Sequence, residues 1–406
     1  MIRTVVKSYR DAYAGLPRTA WMLAAVDFVN SSGTMVLFFM TLYLTQKLNY
    51  SLAIAGRTLG AYGLGSLAGA VLGGWLCDRL GAHNVQGMSL LLMGTILLLL
   101  GFFVSLPAIM TLMALLGVFS TSLFPATSTA MSQVCPKDLL TRGFSLGRLA
   151  RNLGVTIGPV LGGFLAVLDY RYLFWVDGLT SLAASALFFY FFRSSKPRPR
   201  ILPAAGRSPW KDFPFLFVIL QVFLMGAVFY QIFSTLPIYL HRVYGFRENR
   251  IGQLLAVNTL MIVLFEMVLI HRLRRLPQLR VAAFGALCLG GGFALMPAGR
   301  GYLFAALTVA VWTVGEMLTI PSLSAFVAVR GGEKHQGKYQ GMFSLAFAFS
   351  AMLGPVVGTR VYERYGPVYL WLGAGVIGII LAGVFFWIDR KGRILQPLDS
   401  ANETGL

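Results

Sequence analysis

Acidic residues, cysteine and charge of either sign are all scarce in this chain. Only 15 of its 406 residues are Asp or Glu and three are Cys, while charged residues make up 12% and hydrophobic ones 57%. That balance leaves too little polar surface to cover a water-soluble globule of this size, so a bilayer has to be the solvent. Cys77, Cys135 and Cys288 fall in or near apolar stretches and support neither a disulfide framework nor a thiolate metal site. There is no Gly-x-x-x-x-Gly-Lys-Ser/Thr phosphate loop, which rules ATP out as the energy source. Gly-x-Ser-x-Gly and His-Glu-x-x-His are also missing, and His83, His241, His271 and His335 lie at span edges or in loops. The chain is therefore not read as an enzyme, and no metal or cofactor is expected. Residues 1–17 are basic and lack the apolar core and cleavage site of a signal peptide, so they are expected to stay on the protein.

What is present is a series of apolar runs, each long enough to cross a hydrocarbon core of roughly 30 Å as a helix of about 20 residues. In the first half they are read as Ala20–Leu44, Leu52–Trp75, Val85–Val104, Ile109–Ser132, Phe144–Leu168 and Tyr172–Phe192. In the second half they are Phe215–Leu240, Ile251–Ile270, Val281–Met296, Tyr302–Val327, Tyr339–Val361 and Val368–Ile388. None alternates apolar and polar residues as a barrel strand does, so the expected class is an all-α membrane protein of twelve transmembrane helices. Most of the 34 Lys and Arg fall in segments that are cytoplasmic if the N-terminus is inside. The positive-inside rule thus accounts for the net charge of +19, places both termini in the cytoplasm and leaves no case for nucleic-acid binding. Residues 193–213, rich in Pro, Lys and Arg, read as a cytoplasmic linker between six-helix bundles at 1–192 and 214–406.

An internal repeat supports that division. Gly158-Pro159-Val160-Leu161-Gly162 in span five matches Gly354-Pro355-Val356-Val357-Gly358 in span eleven, with each pair 196 residues apart. Pro125 and Pro321, Trp175 and Trp371, and Arg142 and Lys338 keep the same offset. Two pseudo-symmetric halves with a site between them are the common architecture of secondary carriers. A charge present in only one copy is free to serve the cargo: Arg148 maps to Ser344, Arg151 to Phe347, Glu316 to Ser120 and Asp177 to Gly373.

After span two, Gly74-Trp75-Leu76-Cys77-Asp78-Arg79-Leu80-Gly81 resembles the loop signature of the major facilitator superfamily, with Ala82 and His83 where two basic residues usually follow. In span five, Gly154 with Gly158-Pro159 and Gly162-Gly163 is similar to the signature of the superfamily's drug:proton antiporter branch. The more N-terminal glycine of that signature is Ser145 here, and span four lacks the branch's arginine. The resemblance implies rocking of two bundles about a midplane cavity, a latch role for Asp78 with Arg79, Gly74 and Gly81, and a seal against leak at the span-five stripe. For that stripe, plain helix packing is the competing reading.

Embedded charges are the sharpest signal, since each costs about 2.5–3.5 kcal/mol at a helix centre even on the lenient scale. Asp27 lies about two turns inside span one, with Asn30 beyond it, and Arg148 and Arg151 share a face of span five. An Asp27–Arg148 pair is expected from their similar depth. Glu316 is near the middle of span ten, a span that lines the cavity in this superfamily. Glu266 is expected to snorkel from the end of span eight, and Asp177 to be structural. Asp27, Glu316 and Glu266 are the candidate proton carriers. Asn30, Arg148, Arg151, Gln231, Tyr230 and Phe124 are the candidate cavity lining. The function read from this is a proton-coupled exporter of amphipathic organic molecules, monomeric, in the inner membrane. The alternative is proton-coupled movement of a specific metabolite, lysolipid or siderophore, with Arg148 and Arg151 gripping an anionic group.

Overall fold

A backbone amide in hydrocarbon has to find its partner within its own segment, so the apolar runs fold as helices. The computed structural model describes residues 15–136, 139–192, 209–273 and 275–390, which form helices and turns and no strand. Twelve helical segments are long and apolar enough to cross a membrane. Spans one to six are Arg18–Lys47, Leu52–Leu80, Ala82–Leu100, Leu106–Val134, Arg142–Leu168 and Arg171–Phe192. Spans seven to twelve are Phe213–Arg242, Glu248–Leu273, Gln278–Ala298, Tyr302–Gly331, Lys338–Tyr365 and Pro367–Arg390.

Two boundaries differ from the sequence reading for identifiable reasons. Span two runs to Leu80, so Gly74 to Leu80 form its last turns, and only Gly81 separates it from span three. Gly81 has φ +83°, a left-handed conformation that a residue with a Cβ adopts only under strain. Span three accordingly starts at Ala82 and stops at Leu100, where the Gly101 and Phe102 amides donate to the Leu98 and Leu99 carbonyls and close the helix. Most of the expected linker, residues 193–208, lies outside the described residues.

The chain forms two compact units that do not follow the sequence halves at one place. One comprises Met1–Val36 and Gly65–Arg200, the other Leu37–Leu64 and Ile201–Leu406. In the first unit, close helix approach depends on missing side chains. A Cβ on Gly65 or Gly69 of span two would collide with the carbonyl oxygens of Ala114 and Val118 in span four. Ser122 of span four donates to the Gly69 carbonyl (3.2 Å), closing the same contact with a hydrogen bond. This small-residue packing is what a bilayer favours, because apolar side chains gain nothing there by hiding from lipid.

In the second unit, Gly56, Gly60 and Gly63 of span two lie against span eleven between Ala351 and Thr359. The Glu363 carboxylate accepts the Ala53 amide at 3.0 Å, capping span two. Spans ten and eleven belong to one hydrogen-bonded helix, Tyr302–Tyr365. Sixty-four residues at 1.5 Å each would extend about 96 Å if straight. The chain doubles back instead, which brings the Gln340 amide within 2.9 Å of the Ser324 carbonyl, to which it donates.

Asp212 ties this turn to span seven. Its carboxylate accepts the Phe215 amide as the N-cap of the Phe213–Phe229 helix. It also takes Arg330 through Nε (3.0 Å) and Nη2 (3.1 Å), and the Tyr339 hydroxyl at 3.0 Å. Burial works to raise the pKa of this carboxyl. The hydrogen bonds and charge of Arg330, with Tyr339 and the Phe215 amide, outweigh that and hold it below the ordinary carboxylate value.

Because the folded-state value is depressed, the stability from Asp212 is present above the ordinary carboxylate pKa of about 3.9 and is lost as pH falls through the lower folded value. Asp212→Ala is expected to cost at least about 1 kcal/mol, the typical worth of an N-cap acceptor. Thermal melts of the purified protein from pH 7 to pH 3 check this: the gap between wild type and variant should stay constant down to about pH 4 and narrow below it.

Candidate functional site

In the first unit, Asp27 is on the Arg18–Ser32 helix of span one and only 6% of its surface is exposed. A carboxylate buried so completely needs a partner, and span five provides it. Arg151 Nη1 donates to Asp27 Oδ2 at 3.4 Å. Arg151 is one turn beyond Arg148, the partner expected from depth. Gly147, one turn before Arg151 on span five, also lies beside this carboxylate, its Cβ position being 3.7 Å from Asp27 Oδ2. The Arg151 guanidinium carbon is also 5.8 Å from the centre of the Phe124 ring in span four, within cation–π range. Phe124 is largely exposed, and the Arg151 side chain is 37% exposed. The structure therefore gathers Asp27, Arg151 and Phe124 into one cluster with a buried anionic end and an accessible cationic and aromatic end.

Asn30, about one turn beyond Asp27, accepts a hydrogen bond from Ser181 of span six at 3.1 Å. Gly154 packs against the Phe28 carbonyl and Ser31, and Gly158 against the Thr34 carbonyl, so the stripe in span five lies directly on span one. Pro159 is inside the span-five helix, and Gly162 and Gly163 are buried. Asp78 and Arg79 are exposed at the end of span two, with the Arg79 guanidinium 4.4 Å above the Trp75 ring.

The second unit holds a separate polar cluster. Asn258 of span eight donates to Glu316 Oε2 of span ten at 2.8 Å and to the Thr313 hydroxyl at 3.1 Å. Asn258 is missing from the candidates drawn from the sequence, although an amide midway along the apolar run Leu254–Leu260 is a usable signal. Glu266 is buried, with 5% of its surface exposed, and does not snorkel outward as expected. Its side chain lies on the buried face of its helix.

Gln231 does not behave as a cavity wall. Its Nε2 donates to the Ala227 and Gly354 carbonyls, both at 2.9 Å. Its Oε1 accepts from Ser234 (3.2 Å) and Thr235 (2.9 Å). All four hydrogen-bonding positions of the amide are spent on the protein, which makes Gln231 a brace. Tyr230 packs edge-on to Phe229 and against Phe233, in an aromatic cluster that includes Phe38.

Twelve spans, close-packed glycine contacts and two embedded polar clusters describe a transport fold, and comparison with known proteins assigns it. The Major Facilitator Superfamily profile matches residues 22–343. The chain belongs to the Major Facilitator Superfamily. It is 24% identical to the "Probable sulfoacetate transporter SauU" of Cupriavidus necator over 434 aligned positions, covering 97% of each chain. It is 22% identical to the "Tetracycline resistance protein, class E" of Escherichia coli, covering 95% of this chain and 98% of that one. The fold is similar to the crystal structure of the peptide transporter POT in complex with sulfate, with TM-score 0.81, 15% identity, and 95% and 97% of the two chains covered. This superfamily member is thus a multi-pass secondary transporter of a small molecule and not an enzyme.

Within it, Asn258 is expected to orient the Glu316 carboxyl. Asn258→Leu removes the 2.8 Å hydrogen bond to the half-buried Glu316 carboxylate and should lower stability by about 1 kcal/mol. Denaturant or thermal unfolding in detergent measures this. Asn258→Asp, which keeps the shape but places a second acid against Glu316, should do at least as much damage at neutral pH.

Proposed function

We propose that this transporter exports amphipathic organic molecules by alternating access, driven by protons entering through its embedded acids. The observation that carries the reading is the Asp27–Arg151 pair: a nearly fully buried carboxylate 3.4 Å from a partly exposed arginine beside an exposed aromatic ring. A proton arriving at Asp27 cancels the attraction and frees Arg151, so proton binding and the arrangement of the cavity wall are linked. Glu316, held by Asn258, is the matching candidate in the second unit. Each proton entering at 100 mV contributes roughly 2.3 kcal/mol, enough for more than a tenfold cargo gradient. The span-five glycine stripe and the relative named for tetracycline resistance support the export direction. On this reading the protein is a monomer in the inner membrane with both ends in the cytoplasm.

One observation favours a second reading. The described contacts of Arg151 use one of its five N–H donors, and Arg148 is on the same helix face. An anionic cargo could then take Arg151 when Asp27 is protonated, so that proton and anion move together, in line with the relative named for sulfoacetate.

Inverted vesicles with a respiration-acidified lumen separate the two readings, using amphiphiles that first pass a thermal-shift screen on the purified protein. Export by exchange makes the lumen more alkaline when cargo is added, whereas cotransport makes it more acidic. Glu316→Gln is expected to reduce proton-driven accumulation at least tenfold while the thermal shift by cargo persists. Unchanged accumulation by that variant removes Glu316 from the mechanism.

A further inference from the structure

Span one is not a single helix. Its first piece ends at Ser32, where the Gly33 and Thr34 amides close onto Asn30 and Ser31, and a second piece begins at Val36. In an unbroken helix the Met35 and Val36 amides would bond the carbonyls of Ser31 and Ser32. Here both donate, at 3.3 Å, to one oxygen of Asp177 in span six. Asp177 is buried, with 7% of its surface exposed, and has no ion pair among the described residues. Thr180 lies against Gly33 and Gly158 of span five against the Thr34 carbonyl, so the break is enclosed on two sides.

The second unit repeats the device with different chemistry. Span seven breaks at the 3-10 turn Tyr230–Ile232 before resuming at Thr235. Gly354, the repeat partner of Gly158, packs against Ala227 and Tyr230 there, and Gly358 packs against the Gln231 side chain. This break is held by the Gln231 amide, which carries no charge at any pH. The position 196 residues after Asp177 is Gly373, so the second copy has no carboxylate to match.

We infer that Asp177 is a positioning residue that keeps span one broken while ionised, and that a proton on its carboxyl lets the Met35 and Val36 amides return to helical partners. The break in span seven, braced by Gln231, does not respond to pH. Hydrogen bonds to an ionised acceptor are roughly twice as strong as neutral ones, and two amides share a single Asp177 oxygen, so neutralisation weakens both at once. The charged groups on the packed elements do not substitute for it. Asp27 is about two turns earlier on span one and bonded to Arg151 of span five. Arg171 opens span six, and span three, which meets span six at Gly94 and Gly178, carries only His83 at its other end. The inference goes beyond the proposed function and requires no cargo.

Spin labels at Ala25→Cys and Gln46→Cys flank the first break, and labels at Leu220→Cys and Arg242→Cys flank the second, in a background with Cys77, Cys135 and Cys288 replaced. All four labelled positions are exposed. Distances measured in nanodiscs at pH 8 and pH 5 test the idea. The span-one pair should shift at pH 5 toward the about 32 Å of an unbroken helix, and the span-seven pair should not move. Asp177→Leu should show the pH 5 distribution at both values, and Asp177→Asn should lose the pH response. A span-one distance that is the same at both pH values overturns the inference, as does a shift that survives Asp177→Asn or appears equally in span seven. Should the variants not fold, the wild-type comparison of the two pairs still decides.

Discussion

A polar group that enters hydrocarbon without a partner costs several kcal/mol, and the informative features of this structure are the places where that cost is met by something other than an ordinary helical bond. Pro237 has no amide, so the Phe233 carbonyl loses its helical donor, and the Thr41 hydroxyl takes its place at 3.3 Å. Asp177 performs the converse service for two amides in span one, and the Gln231 amide braces span seven. These repairs occur at the helix breaks, and each break lies beside a glycine of span five or span eleven. The span-five stripe, expected as a seal or as simple packing, has a more specific setting: it is the surface against which a discontinuous helix rests.

Hydrophobic runs make the number of spans legible, because their length is dictated by bilayer thickness and needs no tertiary information. The helix breaks are not legible. Ser31-Ser32-Gly33-Thr34 and Tyr230 to Ser234 sit within runs apolar enough to read as continuous spans, and only the Asp177 and Gln231 side chains, distant in sequence or satisfied locally, reveal that the backbone departs from the helix there. Depth along a helix identifies Asp27 and the pair of arginines. It does not resolve which arginine Asp27 meets, since that depends on the rotation of span five about its axis. The expectation that Glu266 snorkels fails because sequence gives its distance from a helix end and not which face is buried. Asn258 escapes notice because a neutral amide in a long apolar run stands out less than a charge, although it too needs a hydrogen-bond partner there.

The internal repeat gives the asymmetric residues their meaning. The two copies share similar glycine contacts, while ionisable groups in some positions answer to neutral ones in their counterparts. Arg151 faces Asp27 in one unit where the repeat position is Phe347, and Glu316 meets Asn258 in the other where the repeat position is Ser120. Under the proposed mechanism, the shared scaffold lets the helices move and the unshared charges decide when they do so. Neither a metal nor a nucleotide is required for that division of labour.

The most direct test of this account is proton movement itself, read in proteoliposomes loaded with a pH dye while a cargo gradient is imposed. The account expects wild type to change luminal pH as cargo equilibrates, and expects Asp27→Asn to equilibrate cargo with no pH change. If Asp27→Asn still moved protons in step with cargo, the buried Asp27–Arg151 pair would be a structural tie only, and the proposed coupling would be wrong.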